Sequence, residues 1–207
     1  MTNDIRKVVK EGYEKGDYAG HFRTSSQPNQ MEKEFLDRLA ALLPKAAKIL
    51  DLGCGIGIPF DKYLADKGFK ITGIDVAHKH IEQAKKNVPS ATFIESDFSR
   101  TDFGGERFHA IIALYSVFHI PREEQQALFN KMHNLLESGG VILMTLGTSG
   151  GESVEEDWTG APMAWSNYDP ATYKAMIAQA GFEITESEYE GQLGDDEYHW
   201  WVLAKKK

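Results

Sequence analysis

The chain has little of what marks secreted, membrane-spanning or nucleic-acid-binding proteins. Its single cysteine, Cys54, has no partner for a disulfide within the chain. Its apolar runs are far shorter than the roughly 18 residues that suggest a membrane span, and Met1-Thr2-Asn3-Asp4 leads into charged residues without the apolar core of a signal peptide. Lys and Arg number 23 against 31 Asp and Glu, and the net charge of −8 disfavours phosphate backbones. We therefore expect a cytoplasmic protein, monomer or homodimer, that binds neither nucleic acid nor membrane.

Length and composition are those of one globular domain. The 207 residues are 42% apolar and 26% charged, an ordinary balance for a folded core with a polar surface. We interpret 1–207 as a single domain with four parts: an N-terminal helical cap (1–45), an alternating core (46–146), a long loop (147–169), and a helix with a terminal hairpin (170–207).

Apolar segments alternate with amphipathic ones through the core. The predicted strands are 47–52, 69–74, 91–94, 108–114 and 141–146. The predicted helices are 30–43, 59–66, 78–87, 121–137 and 169–180. Such alternation favours parallel strands joined by right-handed crossovers, which is a doubly wound α/β sheet. Strands at 182–190 and 197–204, joined by a turn at 191–196, would add a hairpin to the sheet edge.

A glycine-rich turn follows the first predicted strand, in Asp51-Leu52-Gly53-Cys54-Gly55-Ile56-Gly57. Glycine permits positive φ and lets a ligand approach the backbone closely. The helix start that follows offers free N–H groups and the positive end of a dipole, which favour an anionic group. This turn is therefore a candidate cradle for a nucleotide-like cofactor.

Polar residues also follow the other predicted strands, at the sheet edge where doubly wound folds bind ligands. Asp75 and Val76 end the second strand, Asp97 and Phe98 follow the third, and Leu114-Tyr115 ends the fourth. Asp75 comes about 20 residues after the glycines, the spacing of a carboxylate that accepts from ribose hydroxyls. Asp97 could accept from an adenine amino group while Phe98 or Val76 packs on the ring.

These motifs resemble the class I S-adenosylmethionine-dependent methyltransferases, over about residues 45–204. Within that family the chain is most similar to the small-molecule branch that includes ubiquinone- and menaquinone-biosynthesis enzymes. The resemblance implies a Rossmann-like, seven-stranded, mostly parallel sheet with an antiparallel last strand, and in-line methyl transfer from S-adenosylmethionine to a small-molecule acceptor. The cofactor-binding residues that it implies are Tyr18, Asp51, Gly53, Cys54, Gly55, Gly57, Asp75, Val76, Asp97, Phe98, Leu114 and Tyr115.

Two other functions are compatible with a glycine-rich turn. An NAD-dependent oxidoreductase would require the Gly-x-Gly-x-x-Gly fingerprint, but position 58 is Ile. A non-catalytic module that binds S-adenosylmethionine would share every motif and lack only turnover. An Asn/Asp-Pro-Pro-Tyr/Phe segment, expected of DNA amino-methylating enzymes, is replaced here by Leu114-Tyr115-Ser116-Val117.

The candidate catalytic bases are histidines. His119 follows the fourth strand and His21 lies in the N-terminal cap, although each could equally be structural. We expect His78 and His80, at the start of a helix, to face solvent. The histidines and acids lack a metal-ligand spacing such as His-Glu-x-x-His, so we predict no metal site.

Aromatic and acidic residues share the long segment 147–169. It holds Trp158 and Trp165 together with Glu152 and Glu155, among others. Long loops in compact domains are often lids or binding loops, so this one could enclose a cationic or aromatic acceptor. The alternative is a disordered acidic strip whose aromatic residues simply pack. Trp200 and Trp201, in the last predicted strand, are expected to be core residues.

Overall fold

A computed structural model describes residues 4–191 and 199–207. Its main sheet has seven strands in the order β3-β2-β1-β4-β5-β9-β8. These are β1 Lys48–Leu52, β2 Lys70–Asp75, β3 Thr92–Glu95, β4 Phe108–Ala113, β5 Leu136–Gly147, β8 Phe182–Glu190 and β9 His199–Lys206. Strands β1 to β5 pair in parallel, and β9 runs antiparallel to both β5 and β8. The predicted fold class, with its antiparallel last strand, is confirmed.

Seven helices accompany the sheet in the described residues. They are α1 Ile5–Lys15, α2 Tyr18–Phe22, α3 Gln30–Ala41, α4 Phe60–Asp66, α5 His78–Asn87, α6 Arg122–Leu135 and α7 Pro170–Gln179. Helix α3 begins with a capping box, in which Asn29 and Glu32 each bind the other's backbone N–H. The side chain of Asp169 caps α7 in the same N-terminal role. In the described part of the chain, none of the helices combines the length and apolar character needed to cross a bilayer.

The sheet is buried on both faces, which explains why its strands are continuous apolar runs. In β4, Ile111 and Ala113 pack with α6 and α7, whereas Ala110 and Ile112 face α3 and α4. In β9, Trp200 and Trp201 lie on opposite faces and are both buried. The expectation that these tryptophans belong to the core is confirmed.

The prediction of an irregular loop at 147–169 was wrong. Strands β6 (Gly151–Trp158) and β7 (Ala161–Asn167) form a two-stranded antiparallel sheet in that segment. The turn between them, Thr159-Gly160, has positive φ at both residues (56° and 90°), the backbone of a tight hairpin. Strand β6 was not predicted because nearly all its side chains are exposed, so its sequence lacks the alternation of apolar and polar residues that indicates a strand.

The terminal hairpin lies at the sheet edge, but its strand order has a specific feature. Strand β9 is inserted between β5 and β8, and β8 forms the outer edge. Most of the predicted turn at 191–196, and the start of the predicted strand at 197–204, lie outside the described residues.

Candidate functional site

The glycine-rich turn is tied to β2 and opens towards a cavity. The N–H groups of Gly53 and Cys54 both donate to the Ile74 carbonyl, at 2.8 and 3.0 Å. A Cβ on Gly53, whose φ is +91°, would lie 2.4 Å from the Cβ of Ser116. A Cβ on Gly55 would meet only the Tyr18 ring, at 3.8 Å. Close packing on one side and open space on the other suit a turn against which a ligand rests.

Asp75 lies beside this turn at the end of β2. Its Oδ2 accepts from Gly55 N at 2.9 Å and its Oδ1 accepts from Ala77 N at 2.8 Å. His80 Nδ1 is 3.3 Å from Oδ1, and His80 is only 2% exposed. The expectation that His80 faces solvent was wrong, because His80 lies on the buried face of α5. His78 is exposed, as expected. Each Asp75 oxygen retains a lone pair for a ligand hydroxyl.

Eleven of the predicted site residues line one cavity, here called the cofactor cavity. It lies at the carboxyl ends of β1, β2 and β4, where the sheet order reverses. The predicted residues that it brings together are Tyr18, Gly53, Cys54, Gly55, Asp75, Val76, Asp97, Phe98, Leu114, Tyr115 and His119. Gly57 is placed elsewhere, since a Cβ there would lie 3.3 Å from Ala84, Val88 and Phe93.

Asp51 also lies behind the turn rather than on the cavity wall. Its carboxyl faces that of Asp61 on α4, and the two residues are only 2% and 1% exposed. Burial raises the pKa of Asp51 to about 7, and burial with the neighbouring Asp51 charge raises the pKa of Asp61. The two carboxyls therefore hold a proton at neutral pH. The sequence did not reveal Asp61, because an acid in the first turn of a helix usually faces solvent.

Arg6 on α1 was missed by the sequence analysis and lies over Asp97. Its Nε donates to Asp97 Oδ2 at 2.9 Å, and its terminal nitrogens bind Glu124 at 2.7 and 2.6 Å. Asp97 Oδ1 accepts from both N and Oγ of Ser99. Although partial burial acts to raise the pKa of Asp97, the bonds from Ser99 and Arg6 lower it below its ordinary value. Asp97 is therefore a fixed, ionised acceptor at one end of the cavity.

Arg23, just after α2, was missed as well. Its guanidinium lies over three rings, 5.4 Å from the centroid of Tyr18 and 5.1 Å from those of Phe60 and Tyr115. Across residues 4–191 and 199–207, no carboxylate oxygen comes within 4.0 Å of it. A mostly enclosed cation without an ion pair is costly unless an anion joins it. The sequence signal, one Arg in a polar segment, is too weak to have identified it.

His119 is held between α1 and β7. Its Nδ1 lies 2.9 Å from the Ala164 carbonyl, which can only accept, so Nδ1 carries the hydrogen. Nε2 then accepts from the Tyr13 hydroxyl at 2.7 Å. Burial lowers the pKa of His119 to about 4, although the Ala164 carbonyl acts in the opposite direction. The imidazole is thus neutral at physiological pH, with its basic nitrogen directed at Tyr13.

A second and larger cavity, here called the outer cavity, adjoins the first. Its volume is about 1120 Å³, and it shares Tyr13, Tyr18, Arg23, Tyr115 and His119 with the cofactor cavity. His21 lines only this outer cavity and is exposed, with Nδ1 2.8 Å from the Asp17 carbonyl. The structure therefore brings His119 to both cavities and His21 to one.

Tyr115 forms the partition between the cavities. Its φ of +55° is unusual for a non-glycine residue, and its N–H donates to Thr145 Oγ1. Its hydroxyl donates to Glu190 Oε2 at 2.8 Å, and the same oxygen accepts from Trp201 Nε1 at 2.9 Å.

In the residues the structure describes, no group of three or more His, Cys, Asp or Glu is placed to hold a metal ion.

Comparisons with known proteins show which domains this chain is similar to. Residues 49–140 match the family described as "Methyltransferase domain". A sterol 24-C-methyltransferase from Debaryomyces hansenii is 28% identical over 165 residues, 72% of this chain and 42% of that protein. Phosphoethanolamine N-methyltransferase 1 from Triticum aestivum is 28% identical over 189 residues, 88% of this chain and 35% of that protein. The chain thus spans less than half the length of these relatives.

A solved structure shows the same fold along the whole chain. Magnesium protoporphyrin IX methyltransferase from Synechocystis PCC 6803, with bound S-adenosylmethionine, has a TM-score of 0.73 at 17% identity and covers 100% of this chain and 99% of its own. Residues 49–140 are therefore similar to a methyltransferase domain, and the chain as a whole has the fold of a methyltransferase solved with bound S-adenosylmethionine.

Proposed function

We propose that this protein methylates a small-molecule acceptor held in the outer cavity. The observation that carries the proposal is the contact between the two cavities, whose shared wall includes Tyr13, Tyr115 and His119. An acceptor in one cavity would thereby face a donor in the other. The named substrates of the relatives, a sterol, phosphoethanolamine and magnesium protoporphyrin IX, are small molecules and support the same class.

The residues of the cofactor cavity fit S-adenosylmethionine from end to end. Asp97 and Phe98 would hold the adenine, and Asp75 would accept from the ribose hydroxyls. Arg23 would pair with the methionine carboxylate, because it is a cation that lacks an ion pair in the described structure. Gly55 leaves the open space that the chain of the methionine needs.

The protein orients the acceptor and removes its proton. When bound, S-adenosylmethionine supplies a methyl group attached to a sulfonium. The acceptor's lone pair forms a bond to the methyl carbon, and the electron pair of the breaking carbon–sulfur bond stays on sulfur. Orienting the acceptor can contribute roughly 7–11 kcal/mol to lowering the barrier. Tyr13 can accept the acceptor's proton at its oxygen while passing its own to His119 Nε2. We propose His119 as the base on this path, with His21 as the weaker candidate because only the outer cavity reaches it.

The finer assignment to the ubiquinone and menaquinone type remains a proposal. A flat quinol ring would find aromatic faces in the outer cavity, in Tyr18, Phe22 and Trp158. An acceptor screen that follows S-adenosylhomocysteine release would test quinols against other small molecules directly.

Calorimetry with two ligands tests the cofactor assignments separately. S-Adenosylhomocysteine contains adenine, ribose and an amino acid, whereas 5′-methylthioadenosine lacks the amino acid. We expect Asp75→Asn to weaken both ligands tenfold or more. Arg23→Met should weaken S-adenosylhomocysteine by a similar factor and leave 5′-methylthioadenosine unchanged.

A matched control for this experiment is Arg38→Met, on the exposed side of α3, which should change neither affinity. Equal losses for both ligands in Arg23→Met would contradict the carboxylate assignment. Failure of the wild-type protein to bind S-adenosylhomocysteine would contradict the proposed function itself.

A further inference from the structure

The outer cavity is lined by aromatic rings that contact one another. Trp158 stacks on Phe22 with centroids 5.3 Å apart and on Tyr18 at 6.0 Å. Trp165 meets Trp158 edge-on at 5.8 Å. The face of an aromatic ring is electron-rich, so such walls favour either a flat ring or a positively charged nitrogen. Aromatic character alone does not distinguish these two classes of acceptor.

The charged residues of the outer cavity do distinguish them. Glu32 and Glu190 converge on the Tyr115 hydroxyl, and Glu155 lies at the exposed margin. Glu32 is only 5% exposed, and burial raises its pKa while Asn29 N donates to its Oε2. Arg23 is the single Lys or Arg among the described residues that line this cavity. The carboxylates therefore outnumber the cations.

Arg23 does not cancel this negative charge once the cofactor is present. It lies against Tyr18 and Phe60, on the side of the cavity that adjoins the glycine-rich turn, and it pairs with no carboxylate within 4.0 Å in the described structure. Under the proposed function its charge is taken by the methionine carboxylate. Arg23 also stabilises the charge of Glu32, and Glu190 Oε2 lies 3.8 Å from His199 Nδ1, but Glu32, Glu155 and Glu190 still outnumber these basic groups once the cofactor takes Arg23.

We propose that the acceptor is an amine, whose nitrogen binds between the aromatic faces and the carboxylates of Glu32 and Glu190. The inference rests on the proposed function. An amine gives its lone pair to the methyl carbon as the carbon–sulfur bond breaks, and positive charge passes from sulfur to nitrogen. The nitrogen then loses its proton, where it has one, to the Tyr13 oxygen as Tyr13 passes its own proton to His119 Nε2. Preplaced carboxylates and aromatic rings stabilise a charge that grows at that point, whereas the phenolate of an ionised quinol would be repelled, so the charges of the cavity favour an amine over a quinol.

Choline and 3,3-dimethyl-1-butanol provide the sharpest probe pair. They have the same shape, but one carries a quaternary ammonium where the other carries a neutral tert-butyl group. Titrations by calorimetry would use the whole protein saturated with S-adenosylhomocysteine, whose own binding is measured first. We expect choline to bind at least tenfold more tightly than its neutral isostere.

Three variants locate the origin of that preference. Glu190→Gln keeps an oxygen acceptor for Tyr115 and removes the charge, and it should reduce the preference at least threefold, as should Trp158→Leu. Glu34→Gln, on the exposed face of α3, is the matched control and should leave the preference unchanged. Urea denaturation would verify that each variant is folded.

Equal affinity for choline and its isostere, with normal S-adenosylhomocysteine binding, would overturn the amine proposal and leave the methyltransferase proposal intact. Tighter binding of benzoate than of choline would overturn it in the same way. A protein that fails to bind S-adenosylhomocysteine would overturn both.

Discussion

The buried carboxyl pair Asp51–Asp61 should make stability depend on pH in a way that one substitution reverses. Burial raises the pKa of Asp51 to about 7, against an ordinary value of 3.8, and raises that of Asp61 as well. A carboxyl with a raised pKa in the folded state binds more protons folded than unfolded. Stability is therefore present at low pH and is lost as pH rises from about 4 through about 7. At about 1.4 kcal/mol per unit, the Asp51 shift alone corresponds to roughly 4 kcal/mol.

Asp61→Asn keeps the shape of the pair and removes one charge. Its amide can donate to the Asp51 carboxylate, so Asp51 no longer needs the shared proton. We expect the variant to be more stable than the wild-type protein by about 2 kcal/mol at pH 8, with the gain falling to near zero by pH 5. Urea denaturation at pH 5, 6, 7 and 8 measures this difference in the free energy of unfolding.

The matched control is Asp66→Asn on the same helix, an exposed acid that pairs with Lys62. It should change stability by less than about 0.5 kcal/mol at every pH. Two results would refute the conclusion that Asp51 and Asp61 share a proton. One is an Asp61→Asn variant less stable than the wild-type protein at pH 8, and the other is an effect on stability that is the same from pH 5 to pH 8.

Three further predictions follow from local geometry. Gly53→Ala should lower the free energy of unfolding by about 2–4 kcal/mol, because it adds a clash with the Ser116 Cβ to the positive φ; Gly68→Ala, with similar φ and open space, should cost only about 1 kcal/mol in the same urea titration. Gly12→Ala would place a Cβ 2.3 Å from the Pro162 carbonyl, so we expect α1 to exchange its amide hydrogens faster and S-adenosylhomocysteine to bind at least tenfold more weakly in calorimetry. His119→Gln should lower kcat about 100-fold. In the wild-type protein the rate should rise with pH around a midpoint near pH 4, where His119 becomes neutral; a midpoint near 6.5 would contradict burial as the cause of the low pKa.

Much of the fold was predictable because its strands are buried on both faces. Continuous apolar runs such as β4, bounded by turn residues, give the positions of β1 to β4 within one residue, whereas β5 begins at Leu136, five residues before its predicted start. The β6–β7 hairpin was not predictable in this way, because β6 is exposed and β7 is buried by long-range contacts, with α1 and with residues near His119. Its one local signal was the Thr159-Gly160 turn.

Site residues on the strands of the sheet were predictable, whereas those on the N-terminal helices were not. Residues at strand ends, such as Asp75 and Asp97, follow from topology, because parallel strands deliver their carboxyl ends to one edge. Arg6 and Arg23 come from a segment outside the sheet, and their positions depend on how helices pack over the cavity. That packing is a long-range property that no motif in the sequence encodes.

The placement of Arg6 and Tyr13 on one short helix has a kinetic consequence. They are seven residues apart, two turns along the same face, a separation of about 10 Å. Arg6 contacts the Asp97 end of the cofactor cavity while Tyr13 contacts His119. Because one helix carries both side chains, a displacement of α1 would break the Arg6–Asp97 and Tyr13–His119 contacts together. One rate of α1 motion would therefore govern both access to the adenosine end and the integrity of the proton path.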